Sequence, residues 1–124
     1  MYRVAVYGTL RMGELNHRLL ESSQYIGMRN LDGFLMRSLG NFPTLVEGDG
    51  QVTVEVYEVD EETFILLDRL EGFPRLYQRK EVVIDGFPAW IYYWKYAESA
   101  AGYPLVECGD WVRYQDSRRP RAVY

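Results

Sequence analysis

The sequence predicts an α+β fold in which strands outnumber helices, on three observations. Aromatic residues make up 15% of the 124 residues, led by 11 Tyr, and such side chains suit pleated, half-buried surfaces. About six segments carry strand patterning and two carry short helical patterning. Clusters of Gly, Asn, Asp and Pro separate most of them, so turns rather than crossover helices make the connections. The sheet is therefore mixed or antiparallel, with closure into a small barrel as one arrangement. At this length, with 48% hydrophobic residues, one domain spanning 1–124 is expected.

Residues 3–7, Arg-Val-Ala-Val-Tyr, form a short apolar run ending at Gly8, which predicts a buried first strand. Leu15, Leu19 and Leu20 fall at helical spacing and predict a short helix over 14–21. Residues 24–36 carry Tyr25, Ile26, Leu31, Phe34, Leu35 and Met36, broken by Gly27 and Gly33, as in an irregular or bulged strand. Asn41-Phe42-Pro43 predicts a turn, and Gly48-Asp49-Gly50 a second one. Residues 51–57 alternate cleanly, with Val52, Val54 and Val56 on one face and Thr53, Glu55 and Tyr57 on the other. That is the pattern of a half-buried strand.

Asp60 reads as a helix N-cap, and Glu61 and Glu62 suit the positive end of the helix dipole. The helix runs to Leu70 or Glu71, where Gly72 and Pro74 stop it. Residues 77–84 and 89–96 predict a hairpin around Asp85-Gly86-Phe87-Pro88, with Trp90, Tyr92, Trp94 and Tyr96 sharing one face. Residues 97–106 read as a loop, and 110–114 as a last short strand.

Composition removes several function classes. A net charge of −4 disfavours approach to phosphate backbones, so no nucleic-acid partner is expected. The basic stretch Arg118 to Arg121 is a local exception and reads as a frayed terminus. No apolar run approaches the roughly 20 residues that span a bilayer, and Arg3 interrupts the apolar start. No membrane partner and a cytoplasmic location are expected. The single cysteine, Cys108, has no Cys or His at metal spacing, and the one histidine, His17, is far away in sequence. A structural thiol is expected, and no metal site.

Two places carry chemistry. The first is the loop Tyr7-Gly8-Thr9-Leu10-Arg11-Met12-Gly13. A glycine where the chain leaves a strand lets a ligand approach the main chain. Successive amides there can form an anion-holding nest, Thr9 adds a hydroxyl, and Gly13 permits a second bend. The loop lacks the Gly-Lys-Ser/Thr ending of a phosphate loop and the spacing of a dinucleotide fingerprint. By itself it is equally an ordinary turn.

The second is Glu71. On a helical projection Phe64, Leu66, Leu67 and Leu70 define the apolar side, Asp68 and Arg69 point away, and Glu71 falls at the core edge. Burial and the negative helix terminus both raise the pKa of such a carboxyl, as a general base for an amine requires. A frayed end, or a pair with Arg75 or Arg79, is the bland alternative.

Together these blocks resemble the gamma-glutamylcyclotransferase-like family, especially its gamma-glutamylamine cyclotransferase branch and small bacterial and archaeal relatives. The matching residues are Tyr7-Gly8-Thr9-Leu10-Arg11, Gly13, Asn16 and His17, then Leu67-Asp68-Arg69-Leu70-Glu71-Gly72, Pro74, Tyr77 and Arg79. Gly109-Asp110-Trp111 and Tyr114 form a weaker third block. The resemblance implies a small mixed β-barrel with short flanking helices. It makes Tyr7, Gly8, Thr9 and Leu10 the substrate-binding residues and Glu71 the catalytic general acid/base. It implies cyclisation of a gamma-glutamyl amide to 5-oxoproline by intramolecular aminolysis, with no metal or organic cofactor. Asn16, Tyr77, Arg79 and Tyr114 match the pattern and read as structural support. The alternative is a non-catalytic module that binds a small carboxylate on the same fold.

Overall fold

The computed structural model describes residues 1–118. Its centre is β1 (Tyr2–Val6), followed by a 3₁₀ turn at His17–Leu20. Then come β2 (Gln24–Ser38), β3 (Pro43–Val59), α1 (Glu61–Glu71), β4 (Tyr77–Ile84) and β5 (Phe87–Trp94). A second 3₁₀ turn at Ala97–Gly102 leads to α2 (Trp111–Arg118). The strands form one sheet in the order β2-β3-β1-β5-β4. β1 pairs antiparallel with β3 and parallel with β5, so the sheet is mixed. The α+β class expected from the sequence holds.

The barrel does not close: β2 and β4 are the two edges of the ladder. Side chains rather than backbone bonds reach across. Arg29 on β2 meets Asp85 in the β4–β5 turn at 2.8 Å, and Lys80 on β4 meets Glu47 on β3 at 2.8 Å. The register shift at Tyr25/Gly27 places one extra residue in β2, a bulge beside Gly27 as the sequence suggested, whereas at Asp32/Phe34 the extra residues lie in β3. The curled sheet encloses one apolar cluster containing Ala5, Val54 and Ile91. Its other face carries a second cluster, containing Val4, Val6 and Leu67, under α1. Both faces of β1 are thus buried at Val4, Ala5 and Val6, which explains why these consecutive residues are all apolar.

Four local expectations need correction. Residues 110–114 are not a strand but the start of α2. The Asp110 carboxylate accepts from the Arg113 amide at 3.2 Å as an N-cap, and Trp111 stacks on Tyr114 at 5.5 Å, three residues apart on one face. Among the described residues, five strands remain instead of six. Gly48-Asp49-Gly50 is not a turn but a bulge within β3, three residues opposite Gly33 alone between the Gln51–Asp32 and Glu47–Phe34 pairs. A Cβ at Gly50 would lie 2.8 Å from the Phe34 carbonyl, so glycine here also serves close strand approach.

The helix expected over 14–21 shrinks to the His17–Leu20 turn. Backbone bonds of the preceding loop, including Glu14 N–H to Arg11 and Asn16 N–H to Thr9, hold the chain in tight turns. Finally, the outward face expected at Glu55 and Tyr57 is buried, because Arg11 pairs with Glu55 and the His17 and Tyr25 rings pack on Tyr57. The remaining elements follow their signals. The Asp60 carboxylate caps α1 by accepting from the Thr63 amide at 2.8 Å. The β4–β5 turn narrows to Asp85 and Gly86, both at positive φ (56° and 79°), so Phe87 and Pro88 belong to β5.

Candidate active site

A cavity of about 360 Å³ opens between the end of β1, the end of α1 and the start of β3. That volume suits a small organic ligand. Tyr7, Gly8, Thr9 and Leu10 all line it, and so does Glu71. The structure therefore brings together the two blocks that sequence reasoning had separated by some sixty positions.

The loop is built by close packing and by its own carbonyls. Gly8 lies against Pro43 of β3; a Cβ there would come within 2.9 Å of the proline Cγ. The Gly8 carbonyl accepts from the Arg11 amide at 3.0 Å, and the Thr9 carbonyl from the Asn16 amide at 2.9 Å. In a trans peptide the next N–H points opposite the carbonyl. The Thr9 and Leu10 amides are thus directed away from those internal partners. The Leu10 carbonyl takes the His17 Nδ1–H at 2.9 Å. Asn16 Nδ2 donates to Thr9 Oγ1 at 3.0 Å, which leaves the hydroxyl proton for another acceptor. Gly13 turns the chain at φ 80°.

Beneath the loop lies an ionic cluster that the sequence did not reveal. Buried Arg11 donates from Nε to Glu55 Oε2 at 2.8 Å and from Nη1 to Asp110 Oδ1 at 2.7 Å. Glu55 Oε1 also accepts from the Met12 amide at 3.0 Å and the Tyr57 hydroxyl at 2.8 Å. Burial and the Glu55 charge push the Tyr57 phenol well up. Partial burial would lift the Asp110 carboxyl, but the Arg113 amide and Arg11 guanidinium outweigh it and hold it below the usual range. The cluster pins the loop from below. Arg11 and Asp110 stood in quoted motifs; Glu55 carried no signal beyond an acid inside a valine run.

Glu71 sits in the opposite kind of place. It is half-buried on the cavity wall among apolar and phenolic side chains. Among the described residues, no hydrogen bond or ion pair engages its carboxylate. Burial alone lifts its pKa from the ordinary carboxyl range to about 7. Its neighbours register the charge: Tyr7, Tyr77 and Tyr92 are all pushed up, chiefly by burial, with Glu71 contributing to each. Their hydroxyls are otherwise used. Tyr7 donates to the Tyr92 carbonyl at 2.6 Å, Tyr77 to the Pro43 carbonyl at 2.8 Å, and Tyr92 to Asp68 at 2.6 Å.

Asp68, expected to point away, is thus tied inward, and it also takes Arg79 at 3.4 Å. Arg79 lies over the Phe64, Phe73 and Trp90 rings, at 4.1 Å from the nearest centroid. It pairs with Asp68 and leaves Glu71 to the cavity. Tyr114 stacks on Trp111, away from the cavity lining. Cys108 is exposed, with its thiol 3.4 Å from the Asp110 carbonyl, while the His17 ring is engaged at Leu10. They do not form a nucleophilic pair. The stretch past Arg118 lies outside the described residues, and no described helix is long and apolar enough to cross a membrane.

Fold and site together define a small α+β protein with a pocket for a small molecule, a glycine loop on one side and a lone raised carboxyl on the other. The chain belongs to the family described as gamma-glutamyl cyclotransferase, AIG2-like, whose model matches residues 4–113. It is 43% identical over 111 residues to a Vibrio cholerae protein named as a candidate gamma-glutamylcyclotransferase, covering 89% of this chain and 95% of that one. It is 34% identical over 110 residues to the Escherichia coli gamma-glutamylcyclotransferase family protein YtfP, covering 89% and 96%. The crystal structure of the uncharacterized protein PH0828 of Pyrococcus horikoshii superposes with a TM-score of 0.80 at 29% identity, covering 98% of this chain and all 100% of that one. By family, then, this is an enzyme of the gamma-glutamylcyclotransferase type.

Proposed function

We propose that the protein is a gamma-glutamylamine cyclotransferase. It converts a gamma-glutamyl amide to 5-oxoproline and releases the amine. The observation that carries this reading is a single unpartnered carboxyl with a pKa of about 7 facing the Gly8 loop across one small cavity. A group poised near neutrality serves as base and acid in turn.

The substrate supplies both nucleophile and electrophile, so the protein folds it and moves protons. The Thr9 and Leu10 amides and the Thr9 hydroxyl hold the glutamyl carboxylate or the developing oxyanion. The Glu71 carboxylate removes a proton from the α-ammonium. The freed amine nitrogen attacks the γ-carbonyl carbon, closing a five-membered ring and forming a tetrahedral intermediate. As the bond from that carbon to the leaving nitrogen breaks, protonated Glu71 returns its proton to the departing amine. The regenerated carboxylate then takes the surplus proton of the ring nitrogen and passes it to the amine, which leaves as an ammonium. Each step uses only the substrate and this chain's own groups.

The test is incubation with a panel of gamma-glutamyl amides, including gamma-glutamyl-ε-lysine, with 5-oxoproline as readout. Turnover is expected from the parent protein, and a loss of about 10²–10⁴-fold from Glu71→Gln with the fold intact. No turnover of any gamma-glutamyl compound, or an active Glu71→Gln, overturns the proposal. Calorimetric binding of a glutamyl ligand without turnover would instead establish the small-carboxylate-binding module.

A further inference from the structure

The mouth of the cavity differs sharply from its interior. Val6, Leu10, Tyr77 and Tyr92 line it as buried residues. Four other lining residues are large, apolar and exposed: Leu15 at 80%, Leu76 at 53%, Phe42 at 52% and Leu70 at 37%. They come from the loop after β1, the β2–β3 turn and the end of α1 with its following segment, so three separate segments place apolar side chains around one opening. Among the described lining residues, Glu71 is the one that carries a formal charge. Leu15, which the sequence spaced with Leu19 and Leu20 as part of a short helix, stands in solvent at this rim.

We infer that the amine released by this site is uncharged beyond its reacting nitrogen and apolar, such as an alkyl or aryl amine, rather than an amino acid. The inference rests on the cyclotransferase reading. If the glutamyl unit occupies the Gly8 loop with its γ-carbonyl facing Glu71, the amide nitrogen and its substituent leave through the mouth. A substituent bearing its own carboxylate and ammonium would lose water there and meet no cation and no carboxylate other than Glu71 among the lining side chains, which is unfavourable. An apolar substituent would cover Leu15, Phe42 and Leu76. Each buried methylene would then favour binding by about fourfold.

The experiment compares kcat/KM for gamma-glutamyl ethylamide, butylamide, hexylamide and anilide with that for gamma-glutamyl-ε-lysine and gamma-glutamylglycine. A rise of about two- to fourfold per methylene along the alkyl series is expected, with hexylamide and anilide at least tenfold above both charged substrates. Phe42→Arg and Leu76→Arg, both at exposed positions, should erase the alkyl slope and raise the rate with gamma-glutamylglycine. Turnover in which the charged amides equal or exceed the alkyl series overturns the inference while leaving the cyclotransferase reading standing. Absence of turnover throughout removes that reading and the inference with it. Sedimentation showing a dimer that Leu15→Ser disperses would assign the rim to a second copy of the chain and also overturn it.

Discussion

Two glutamates lie inside this protein, and they have opposite surroundings. Glu55 is almost completely buried, and its two oxygens accept from the Arg11 guanidinium, the Met12 amide and the Tyr57 hydroxyl. Glu71 is less deeply covered yet has no hydrogen-bond partner among the described residues, and burial alone lifts its pKa to about 7. The first carboxylate is tied at both oxygens and holds the loop after β1. The second is poised to gain and lose a proton. One residue type is thus tied into the architecture or left with a raised pKa according to what surrounds its oxygens.

The comparison breaks first at Glu55. Glu55→Ala leaves a buried guanidinium and the Met12 amide short of partners, so a stability loss of about 3–5 kcal/mol is expected. Urea unfolding measures it, and a loss below ~1 kcal/mol would mean that Arg11 and Asp110 suffice without it. Removing the charge at position 71 should have the opposite sign. The folded-state pKa of Glu71 is raised, so its contribution to stability is fully present below the ordinary carboxyl range. That contribution is lost as pH rises toward about 7. Glu71→Gln escapes the loss and should be more stable at pH 8 by on the order of 1–3 kcal/mol, with little difference at pH 4. A destabilised Glu71→Gln would place Glu71 in the same structural category as Glu55.

Smaller changes sharpen the picture of the loop between them. Gly8→Ala forces a Cβ against the Pro43 ring, which cannot swing aside, and should cost about 1–3 kcal/mol together with a raised KM. An unchanged KM in steady-state kinetics would detach the loop from substrate binding. Tyr77→Phe deprives the Pro43 carbonyl of its donor and should cost about 1 kcal/mol, with kcat falling much less than in Glu71→Gln. A kcat loss equal to that of Glu71→Gln would give the Tyr77 hydroxyl a place in the chemistry.

What the sequence disclosed follows the same divide. The first strand, the glycine loop, the Asp60 cap and the core-edge position of Glu71 were legible because each depends on residues within a turn or two. Glu55 was not, because its partner Arg11 lies 44 positions away and only the fold joins them. The link from Arg11 to Asp110 spans 99 positions. For the same reason alternation assigned Glu55 and Tyr57 to solvent. α2 was misread because its aromatic residues favour strands, although Asp110 as a cap and the Trp111–Tyr114 spacing already carried a helical signal. The open edge of the sheet was out of reach, since closure depends on pairing between its first and last strands in space. So was the apolar mouth of the cavity, because nothing local distinguishes Leu15 at a pocket rim from Leu20 in the core.

The account turns on the protonation of one carboxyl. A ¹³C NMR titration of the Glu71 side-chain carboxyl in the intact protein, assigned by its loss in Glu71→Gln, measures this directly. A midpoint close to 7 is predicted. A midpoint near the ordinary glutamate value of about 4.3 would leave a charged carboxylate at the cavity wall at neutral pH and contradict the proposed role of Glu71 as the proton carrier.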